Sequence, residues 1–592
     1  YGGCWHPDKV RNWTPQSDPN AKFNRSRVPL AQRFVEPVPM KANKNQHYGG
    51  QVTNASILFP TCSLCPSQGA NNFVGYQPTY WQYMDKMVYW AGSASEGIII
   101  PPPAGSTDAA HQSGVKMLGQ VFFPPAAYGG NRMWVRQMLE KKDGKYIFAK
   151  KLFEIAQYFG FDGWFINEET GGGSTSEWEQ FIKEFNEYAD AAGLPQMEIQ
   201  WYQAFVGVNS TILKTHKNTS QFIDYGQVKD YRSYASQLGC TEAQTMEKIY
   251  GGIETVMAGL TGYGSTLRSV FKKDGHVGSV ALFCPEEHIW KDNVKTLLNT
   301  VNNQGEQAYQ AMTRTFNNEA TVWVNSSHDP SLEADPSGGW GGWPGISGCL
   351  IERSAISSMP FITSFCVGIG KKRFVKGVEK NQQDWYHSGV QSVMPTWRWW
   401  ISQKDGLDAY IDWDEAYNFG NSIKIEGSIQ PGEHLVRLYK TQIKVDNGGK
   451  LRLVYKTSLE NSVEVRLGTE SDVNNGMVTL SGATKTESNG WTVDEYDLTQ
   501  VNGKTIYMVA LNIKNASVVS NYKLQLGELA LLPANYAPKA MEISNLKNET
   551  TLLEAGGDLR ITWDWADNAD LDHFDVYTVT ANGTEKLVGQ TR

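Results

Sequence analysis

The stretch Phe161-Asp162-Gly163-Trp164-Phe165-Ile166-Asn167-Glu168-Glu169-Thr170 contains the strand on which the prediction of the fold rests. Its aromatic and β-branched residues favour an extended conformation, and the run ends in polar residues. Side chains of a strand alternate between two faces, so a strand over Gly163–Glu169 places Asn167 and Glu169 on one face and Glu168 on the other. An amide paired with a carboxylate at a strand end is therefore the first candidate site.

Short apolar runs of the same character recur along the chain and alternate with amphipathic helical segments. The runs are Met87–Trp90, Val115–Phe123, Gly163–Glu169, Glu198–Phe205, Phe222–Tyr225, Thr255–Leu260, Ser279–Phe283 and Phe361–Cys366. The helical segments include Tyr146–Phe159, Glu177–Ala192 and Val294–Ala311. This alternation predicts parallel βα units, and eight strands predict an α/β fold of the (β/α)8 TIM-barrel type. A doubly wound open sheet is the alternative, but no glycine-rich nucleotide loop follows the first run.

The character of the sequence changes twice after the barrel. Residues 1–385 are assigned to the barrel, together with an irregular N-terminal segment rich in Pro, Asn and Gln. Residues 386–535 contain short alternating strands and glycine-rich turns, which predict a β-sandwich that acts as a carbohydrate-binding module or as a rigid spacer. Residues 536–592 predict part of an immunoglobulin- or fibronectin-type β domain, at about half of the ~100 residues that such a domain needs.

Composition and charge limit the kinds of molecule that the chain is expected to bind. The chain contains 20 Trp, 27 Tyr and 23 Phe, a content that suits sugar binding, although core packing is the alternative. The net charge of −8, with both signs interspersed, predicts no nucleic-acid face. No apolar run reaches the length of a bilayer span, so no membrane insertion is expected.

Seven cysteines are scattered through the chain. Cys62-Ser63-Leu64-Cys65 is a lone CxxC sequence, whereas a structural zinc site would need a second pair of ligands. We expect either a local disulfide or two free thiols at Cys62 and Cys65. No metal site and no organic cofactor are predicted, because the sequence has no ligand cluster and no nucleotide loop.

The pairing of Asn167 with Glu169 favours a specific reaction. Most retaining glycosidases use a second carboxylate as nucleophile, but here the partner on the same face is an amide. A 2-acetamido sugar supplies its own nucleophile, the acetamide oxygen, and an Asn side chain can orient that group through its acceptor oxygen. Glu169 would protonate the leaving oxygen and then serve as the base for water, which gives net retention through an oxazoline. A solvated or ion-paired carboxylate is the alternative.

The stretch Phe161–Glu169 resembles the signature of glycoside hydrolase family 85, the endo-β-N-acetylglucosaminidases. Further motifs similar to this family are Tyr80-Trp81-Gln82-Tyr83-Met84-Asp85, Ile99-Ile100-Pro101-Pro102, Val115-Lys116-Met117-Leu118-Gly119-Gln120-Val121-Phe122-Phe123-Pro124-Pro125, Trp201-Tyr202 and Met394-Pro395-Thr396-Trp397-Arg398-Trp399. The resemblance covers about residues 30–535, which include the barrel and the β-sandwich.

The resemblance implies cleavage within the N,N′-diacetylchitobiose core of N-glycans, so the expected partner is the N-glycan of a glycoprotein. It also implies substrate assistance and a capacity for transglycosylation. Matched by position, Asn167 orients the acetamide, Glu169 is the acid and base, and Tyr202 contacts the acetamide or the acid. Phe122 and Tyr128 match aromatic residues of the substrate pocket, with packing as the alternative.

One stretch departs from the family pattern. Aromatic residues, often Trp, are expected beyond Phe222-Ile223, whereas this chain has Asp224-Tyr225-Gly226, which leaves the preferred glycan class open. The remaining candidates for substrate binding are Trp201, Tyr225, Trp340 and Trp343, and loop or core packing is the alternative for each.

Two other functions stay open at this point. The pattern Asp-Gly-x-Asp-x-Asp-x-Glu of family 18 chitinases can be aligned with the stretch from Asp162 to Glu169, but its two later Asp positions hold Phe165 and Asn167. An inactive glycan-binding protein on the same barrel is the other alternative. The intact pair of Asn167 and Glu169 argues against it.

The cellular location is predicted by association. The chain begins at Tyr1 without a charged-then-apolar signal segment, so either a processed chain or a cytosolic protein is expected from this observation. A fibronectin-like module at the other end favours a modular bacterial enzyme that is secreted or attached to the cell surface. We expect a monomer.

Overall fold

The centre of the molecule is a closed barrel of eight parallel strands, numbered β1 to β8 in chain order. The computed structural model describes residues 3–35, 40–62, 65–204, 207–214, 218–225, 231–272, 275–276, 278–294, 305–333, 343–472, 474–566 and 570–592. The barrel strands are Val52–Ser56 (β1), Lys86–Tyr89 (β2), Lys116–Phe123 (β3), Gly163–Glu168 (β4), Glu198–Gln203 (β5), Thr219–Ile223 (β6), Ile249–Glu254 (β7) and Ser279–Phe283 (β8). Each strand pairs in parallel with the next, and β8 pairs with β1. The predicted (β/α)8 barrel is therefore confirmed.

Helices follow most of the barrel strands. The described α-helices are Pro7–Val10, Ala104–Gln112, Arg132–Met138, Ile147–Phe159, Thr175–Ala191, Ser210–Leu213, Tyr231–Leu238, Glu242–Lys248, Thr255–Ala258, Gly264–Val270 and Glu306–Trp323. Single turns of 3-10 or π-helix are Ala21–Phe23, Trp81–Tyr83, Ala126–Tyr128, Glu287–Lys291, Ile346–Gly348, Ser388–Val390 and Leu498–Val501. The helix after β4 begins with a capping box between Ser174 and Glu177, which satisfies its first free N–H groups. In the described part of the chain, no helix is both long and apolar enough to cross a membrane.

Alternate side chains of the strands fill the barrel. One buried apolar layer consists of Ala55, Val88, Leu118, Phe165, Phe222, Tyr250 and Ala281. Nearer the N-terminal ends of the strands, Lys86 Nζ lies 2.9 Å from a carboxylate oxygen of Glu198, and both side chains are buried. Because Phe165 points inward, alternation also directs Asn167 inward, at the C-terminal end of β4.

A β-sandwich of two antiparallel sheets follows the barrel. The first sheet contains Phe361–Thr363, Gly406–Asp412, Ser422–Ile429, Lys450–Thr457, Thr484–Ser488, Trp491–Asp497 and Val519–Leu532. The second contains Trp400–Ile401, Gly432–Lys444, Val463–Gly468, Met477–Thr479 and Thr505–Asn515. Two hairpins close the chain, Ile543–Leu553 with Gly556–Trp565 and Phe574–Val579 with Glu585–Thr591.

Small two-residue to four-residue strands complete the fold. Ile99–Ile100 pairs with β3. The other short pairs are Lys141–Lys142 with Lys145–Tyr146, Phe271–Lys272 with Gly275–His276, Ile369–Gly370 with Trp385–Tyr386, and Arg373–Val375 with Val378–Asn381.

Two of the eight predicted barrel strands are wrong. The run Thr255–Leu260 begins with the helix Thr255–Ala258, and the true seventh strand is Ile249–Glu254. That strand contains two glycines, so its apolar pattern is weak. A Cβ on Gly252 would lie 2.6 Å from the ring of Phe222, which explains why the position has no side chain.

The predicted last strand, Phe361–Cys366, belongs to another sheet. Residues Phe361–Thr363 pair antiparallel with Val519–Leu532 of the sandwich. The missing barrel strand is β1, Val52–Ser56, whose Thr, Asn and Ser residues gave no apolar run. The assigned domain boundaries at residues 385 and 535 stay predictions.

Two smaller predictions, on one helix and on the state of two cysteines, can be compared with the structure. Of the predicted helix Val294–Ala311, residues 295–304 lie outside the described residues, and the described helix is Glu306–Trp323. The thiols of Cys62 and Cys65 are free and buried, so the structure contains the second of the two predicted states.

Candidate active site

The amide of Asn167 and the carboxylate of Glu169 meet at the C-terminal end of β4. Asn167 Nδ2 donates a hydrogen bond of 2.8 Å to Glu169 Oε1. Asn167 is 3% exposed, whereas Glu169 is exposed to solvent. The two side chains therefore share one face, as strand alternation predicts, and the amide is fixed while the acid faces the barrel mouth.

The other polar atom of Asn167 is left open. Asn167 Oδ1 is buried and has no hydrogen-bond partner among the groups that the structure describes. The orientation of the amide follows from its Nδ2 bond to the carboxylate, so the acceptor oxygen faces away from Glu169. A buried acceptor without a partner is costly, and a ligand N–H group at this position would satisfy it.

Glu168 serves the turn that follows the strand. Its Oε1 accepts a hydrogen bond from the backbone N–H of Gly171, which adopts a positive φ of 78°. Burial raises the pKa of the Glu168 carboxyl, and the backbone hydrogen bonds only partly oppose this effect. The carboxylate on the other face is thus committed to local structure.

Tyr202 lies at the end of the neighbouring strand β5. Its hydroxyl donates to Asp224 Oδ1 at 3.3 Å, and its ring packs edge-on against Phe222 with centroids 5.6 Å apart. Burial raises the pKa of Tyr202, and the nearby charges of Asp224 and Glu169 raise it further. Tyr202 is therefore a neutral phenol close to the acid.

Six aromatic rings form a continuous wall around the barrel mouth, which we call the aromatic wall. It runs through Phe122, Trp90, Phe283, Tyr225, Phe222 and Tyr202, with successive centroids 5.3, 5.0, 5.9, 6.3 and 5.6 Å apart. Three members of the aromatic wall were not predicted from the sequence, namely Trp90, Phe222 and Phe283. Trp90 and Phe283 each end a predicted strand on its inward face, so the alternation rule could have found both.

The other residues predicted to bind substrate are not members of the aromatic wall. Tyr128 is 76% exposed, on the turn after β3. Trp201 is buried on the outer face of β5 against Trp178, with centroids 5.4 Å apart. Trp343 packs on Tyr263 at 4.5 Å and donates its Nε1 hydrogen to Thr321 O at 2.7 Å. Trp340 lies outside the described residues.

Asp162, the first acid of the family 18 alignment, lies at the opposite end of β4. Its Oδ2 accepts the backbone N–H of Met117 at 2.8 Å and lies 2.7 Å from His111 Nε2. Asp162 therefore fixes the start of the strand and not the mouth. Among the described residues, no three acidic, His or Cys side chains are grouped as metal ligands.

The sequence matches the family model for glycosyl hydrolase family 85 over residues 63–373. The chain belongs to glycosyl hydrolase family 85. The resemblance drawn from the motifs is confirmed, and the chain is a glycoside hydrolase by family.

This family 85 chain is similar to cytosolic endo-beta-N-acetylglucosaminidases of animals. The Gallus gallus enzyme is 24% identical over 74% of this chain and 54% of its own length. The Mus musculus enzyme is 25% identical over 78% of this chain and 57% of its own length. The chain thus spans about half the length of the curated relatives it matches.

A solved structure has the same fold over nearly the whole chain. It is the glycoside hydrolase domain of Endo-D from Streptococcus pneumoniae R6, with a TM-score of 0.82 and 25% identity. The match covers 99% of this family 85 chain and 90% of that domain. Barrel and sandwich therefore occur together in both proteins.

The predicted cellular location is contradicted. The sequence analysis expected a secreted or surface-attached enzyme because of the fibronectin-like C-terminal segment. The curated relatives of this family 85 chain are named as cytosolic enzymes in chicken, mouse, human and zebrafish.

Proposed function

We propose that this chain is an endo-β-N-acetylglucosaminidase that cleaves the GlcNAc-β1,4-GlcNAc core of N-linked glycans with retention. The observation that carries the proposal is the Asn167 amide, which donates to Glu169 and keeps a buried acceptor that has no partner among the described residues. Endo-beta-N-acetylglucosaminidase is also the printed name of the animal relatives. The names of the relatives and the geometry of Asn167 both support the proposal that the reacting residue is a 2-acetamido sugar.

In the first step, the substrate acetamide acts as the nucleophile. Glu169, in its protonated form, gives its proton to the glycosidic oxygen while the acetamide carbonyl oxygen bonds to the anomeric carbon. The bond to the leaving GlcNAc breaks, and the acetamide becomes an oxazolinium ring. Asn167 Oδ1 accepts the acetamide N–H and so holds the carbonyl oxygen beneath the anomeric carbon.

In the second step, water opens the ring. The Glu169 carboxylate takes a proton from the water while the water oxygen bonds to the anomeric carbon. The bond between that carbon and the acetamide oxygen breaks, which restores the acetamide. Two inversions give net retention. Because Glu169 is exposed, a sugar hydroxyl can approach it in place of water, and the product is then a new glycoside.

The aromatic wall supplies binding surface for the glycan. Rigid rings that are apolar on their faces suit the C–H faces of sugar rings, and they exclude water from the reacting bond. Phe122 and Tyr202 come from the strands on either side of β4, so the wall flanks the acid. This arrangement favours a sugar ring held across the mouth of the barrel.

The proposal is tested by digestion of a glycoprotein of defined N-glycans, followed by mass spectrometry of the peptides. The expected product peptide keeps one GlcNAc on its asparagine. Glu169→Gln is expected to slow release by roughly 10²- to 10⁴-fold while glycan binding persists, because only the transferable proton is removed.

Glu168→Gln is the matched control at the neighbouring position. Its amide oxygen can still accept the Gly171 N–H, so release should change little. Equal losses in the two variants, or normal release by Glu169→Gln, would show that the assignment of the acid is incorrect. Binding of glycan without cleavage by the unaltered chain would favour a glycan-binding protein.

A further inference from the structure

We propose that Asp224 is a positioning residue that acts on the reaction through Tyr202. This inference rests on the proposed function, since it assigns a role within the same site. Asp224 follows Phe222-Ile223, in the stretch where the family pattern predicts aromatic residues. No role was predicted for it from the sequence.

The carboxylate of Asp224 joins two neighbouring strand ends. Its Oδ1 accepts the Tyr202 hydroxyl at 3.3 Å and the backbone N–H of Tyr225 at 2.7 Å. The backbone N–H of Asp224 itself donates to Gln203 O at 3.0 Å. Asp224 is therefore held at the ends of β5 and β6, and its side chain in turn holds one member of the aromatic wall and the backbone of another.

Two contacts together define the orientation of Tyr202. The edge-on contact with Phe222 restrains the ring, and the hydrogen bond to Asp224 restrains the hydroxyl. A phenol in a partly buried pocket with only apolar neighbours could rotate without losing contact area. The carboxylate removes that freedom before substrate arrives, which lowers the cost of reaching the reactive geometry.

The direction of the hydrogen bond also matters. The charges of Asp224 and Glu169 oppose ionisation of Tyr202, so the hydroxyl keeps its hydrogen and gives it to Asp224. The Tyr202 oxygen can still accept a hydrogen bond, and the Tyr225 side chain lies within hydrogen-bonding reach of it. An Asn at position 224 would preserve this arrangement through its amide oxygen, whereas a Leu would not.

A double-mutant cycle with Tyr202→Phe and Asp224→Leu tests the inference. The measured quantities are kcat and KM for release of a defined N-glycan, together with the unfolding midpoint of each variant. Each single change is expected to lower kcat by about 10- to 100-fold with little change in KM. On this proposal the effect of Asp224→Leu on kcat passes mainly through the Tyr202 hydroxyl, so the loss in the double variant should be far smaller than the product of the two single losses. The Tyr225 N–H, which Asp224 also accepts, accounts for any remaining difference from Tyr202→Phe.

Two further variants separate position from charge and from folding. Asp224→Asn should restore kcat close to that of the unaltered chain, since an amide oxygen accepts the same hydrogen bonds. Asp224→Ser keeps a short polar side chain at the strand end but cannot reach Tyr202, so it should resemble Asp224→Leu even if the latter folds poorly.

Three results would overturn the inference. They are multiplied losses in the double variant, loss of kcat in Asp224→Asn equal to that in Asp224→Leu, and normal kcat in Asp224→Ser. If the unaltered chain releases no glycan, the proposed function fails instead, so the two failures are distinguishable.

Discussion

At the residue scale, Glu286 is a buried acid just beyond the end of β8. It is 0% exposed, and burial raises the pKa of its carboxyl to about 8 from an ordinary value of 4.5. In the unfolded chain the same group loses its proton near its ordinary pKa, so folding takes up a proton between pH 4.5 and 8. The contribution of Glu286 to stability is therefore full below pH 4.5 and falls as the pH rises through this window.

Glu286→Gln should consequently stabilise the protein, and increasingly so at higher pH. The neutral amide needs no proton on folding, so the free energy of unfolding should gain up to about 3 kcal/mol at pH 7 and little at pH 4.5. Chemical denaturation at a series of pH values measures the effect. Glu287→Gln is the matched control, since Glu287 is partly exposed and paired with Lys291, and it should give a small change across the window. A loss of stability in Glu286→Gln that grows with pH would contradict the expectation.

The residues of the site differ in how far the sequence predicts them. Asn167 and Glu169 follow from one strand, because alternation places positions i and i+2 on the same face. The aromatic wall draws its six rings from the ends of five strands, β2, β3, β5, β6 and β8, which are far apart in the chain, so no local pattern reveals most of their contacts. Trp201 was predicted from a motif and lies on the outer face of β5. The match of Trp201-Tyr202 to the family does not by itself say which of the two side chains points into the barrel.

At the element scale, β4 depends on Gly163. This residue has a φ of 124°, and a Cβ there would lie 1.9 Å from the carbonyl oxygen of Glu198 on β5. The backbones of β4 and β5 could not keep their present register around such a side chain. The register of β4 decides where Asn167 and Glu169 lie, so stability and activity depend on the same glycine.

Gly163→Ala is expected to cost roughly 3 kcal/mol or more of the free energy of unfolding and to suppress glycan release in the fraction that folds. Denaturant unfolding and the glycan-release assay measure the two effects. Gly193→Ala is the matched control, because Gly193 also has a positive φ of 71° but no atom of the described residues lies within 4 Å of its Cβ position. It should cost about 1 kcal/mol and leave release unchanged. Normal activity in Gly163→Ala would show that the register of β4 tolerates the added carbon.

The elements that the sequence misassigned have a common physical cause. β1 has polar Thr, Asn and Ser at three of its five positions, and β7 contains paired glycines, of which Gly252 has backbone and the ring of Phe222 where a Cβ would lie. A search for apolar periodicity detects a strand only through the apolar side chains of that strand itself. Phe361–Thr363 has a genuine strand pattern, but its partner, Val519–Leu532, lies far along the chain, and pattern alone does not select a partner.

At the scale of the whole molecule, Arg398 couples the barrel to the sandwich. It is 1% exposed, and its guanidinium lies 3.7 Å from the ring centre of Tyr80. It also donates to Thr79 Oγ1 at 3.1 Å, and Thr79 in turn donates to Glu319 on the last helix of the barrel. The chain from Arg398 leads directly into the sandwich strand Trp400–Ile401. The buried positive charge thus balances Glu319 across the junction of the two parts.

Because the junction is buried and charged, we expect barrel and sandwich to unfold in a single transition. Arg398→Met keeps much of the apolar stem but removes the hydrogen bond to Thr79 and the positive charge that opposes the effect of burial on the pKa of Glu319, which burial raises, at a cost of about 1 to 3 kcal/mol. Calorimetry should show one endotherm that moves as a whole to lower temperature. Arg466→Met is the matched control on the sandwich surface, where the ion pairs with Glu433 and Glu464 should contribute no more than about 1 kcal/mol. Two separate endotherms, of which only one responds to Arg398→Met, would show that the sandwich is an independent module attached to a barrel that is stable without it.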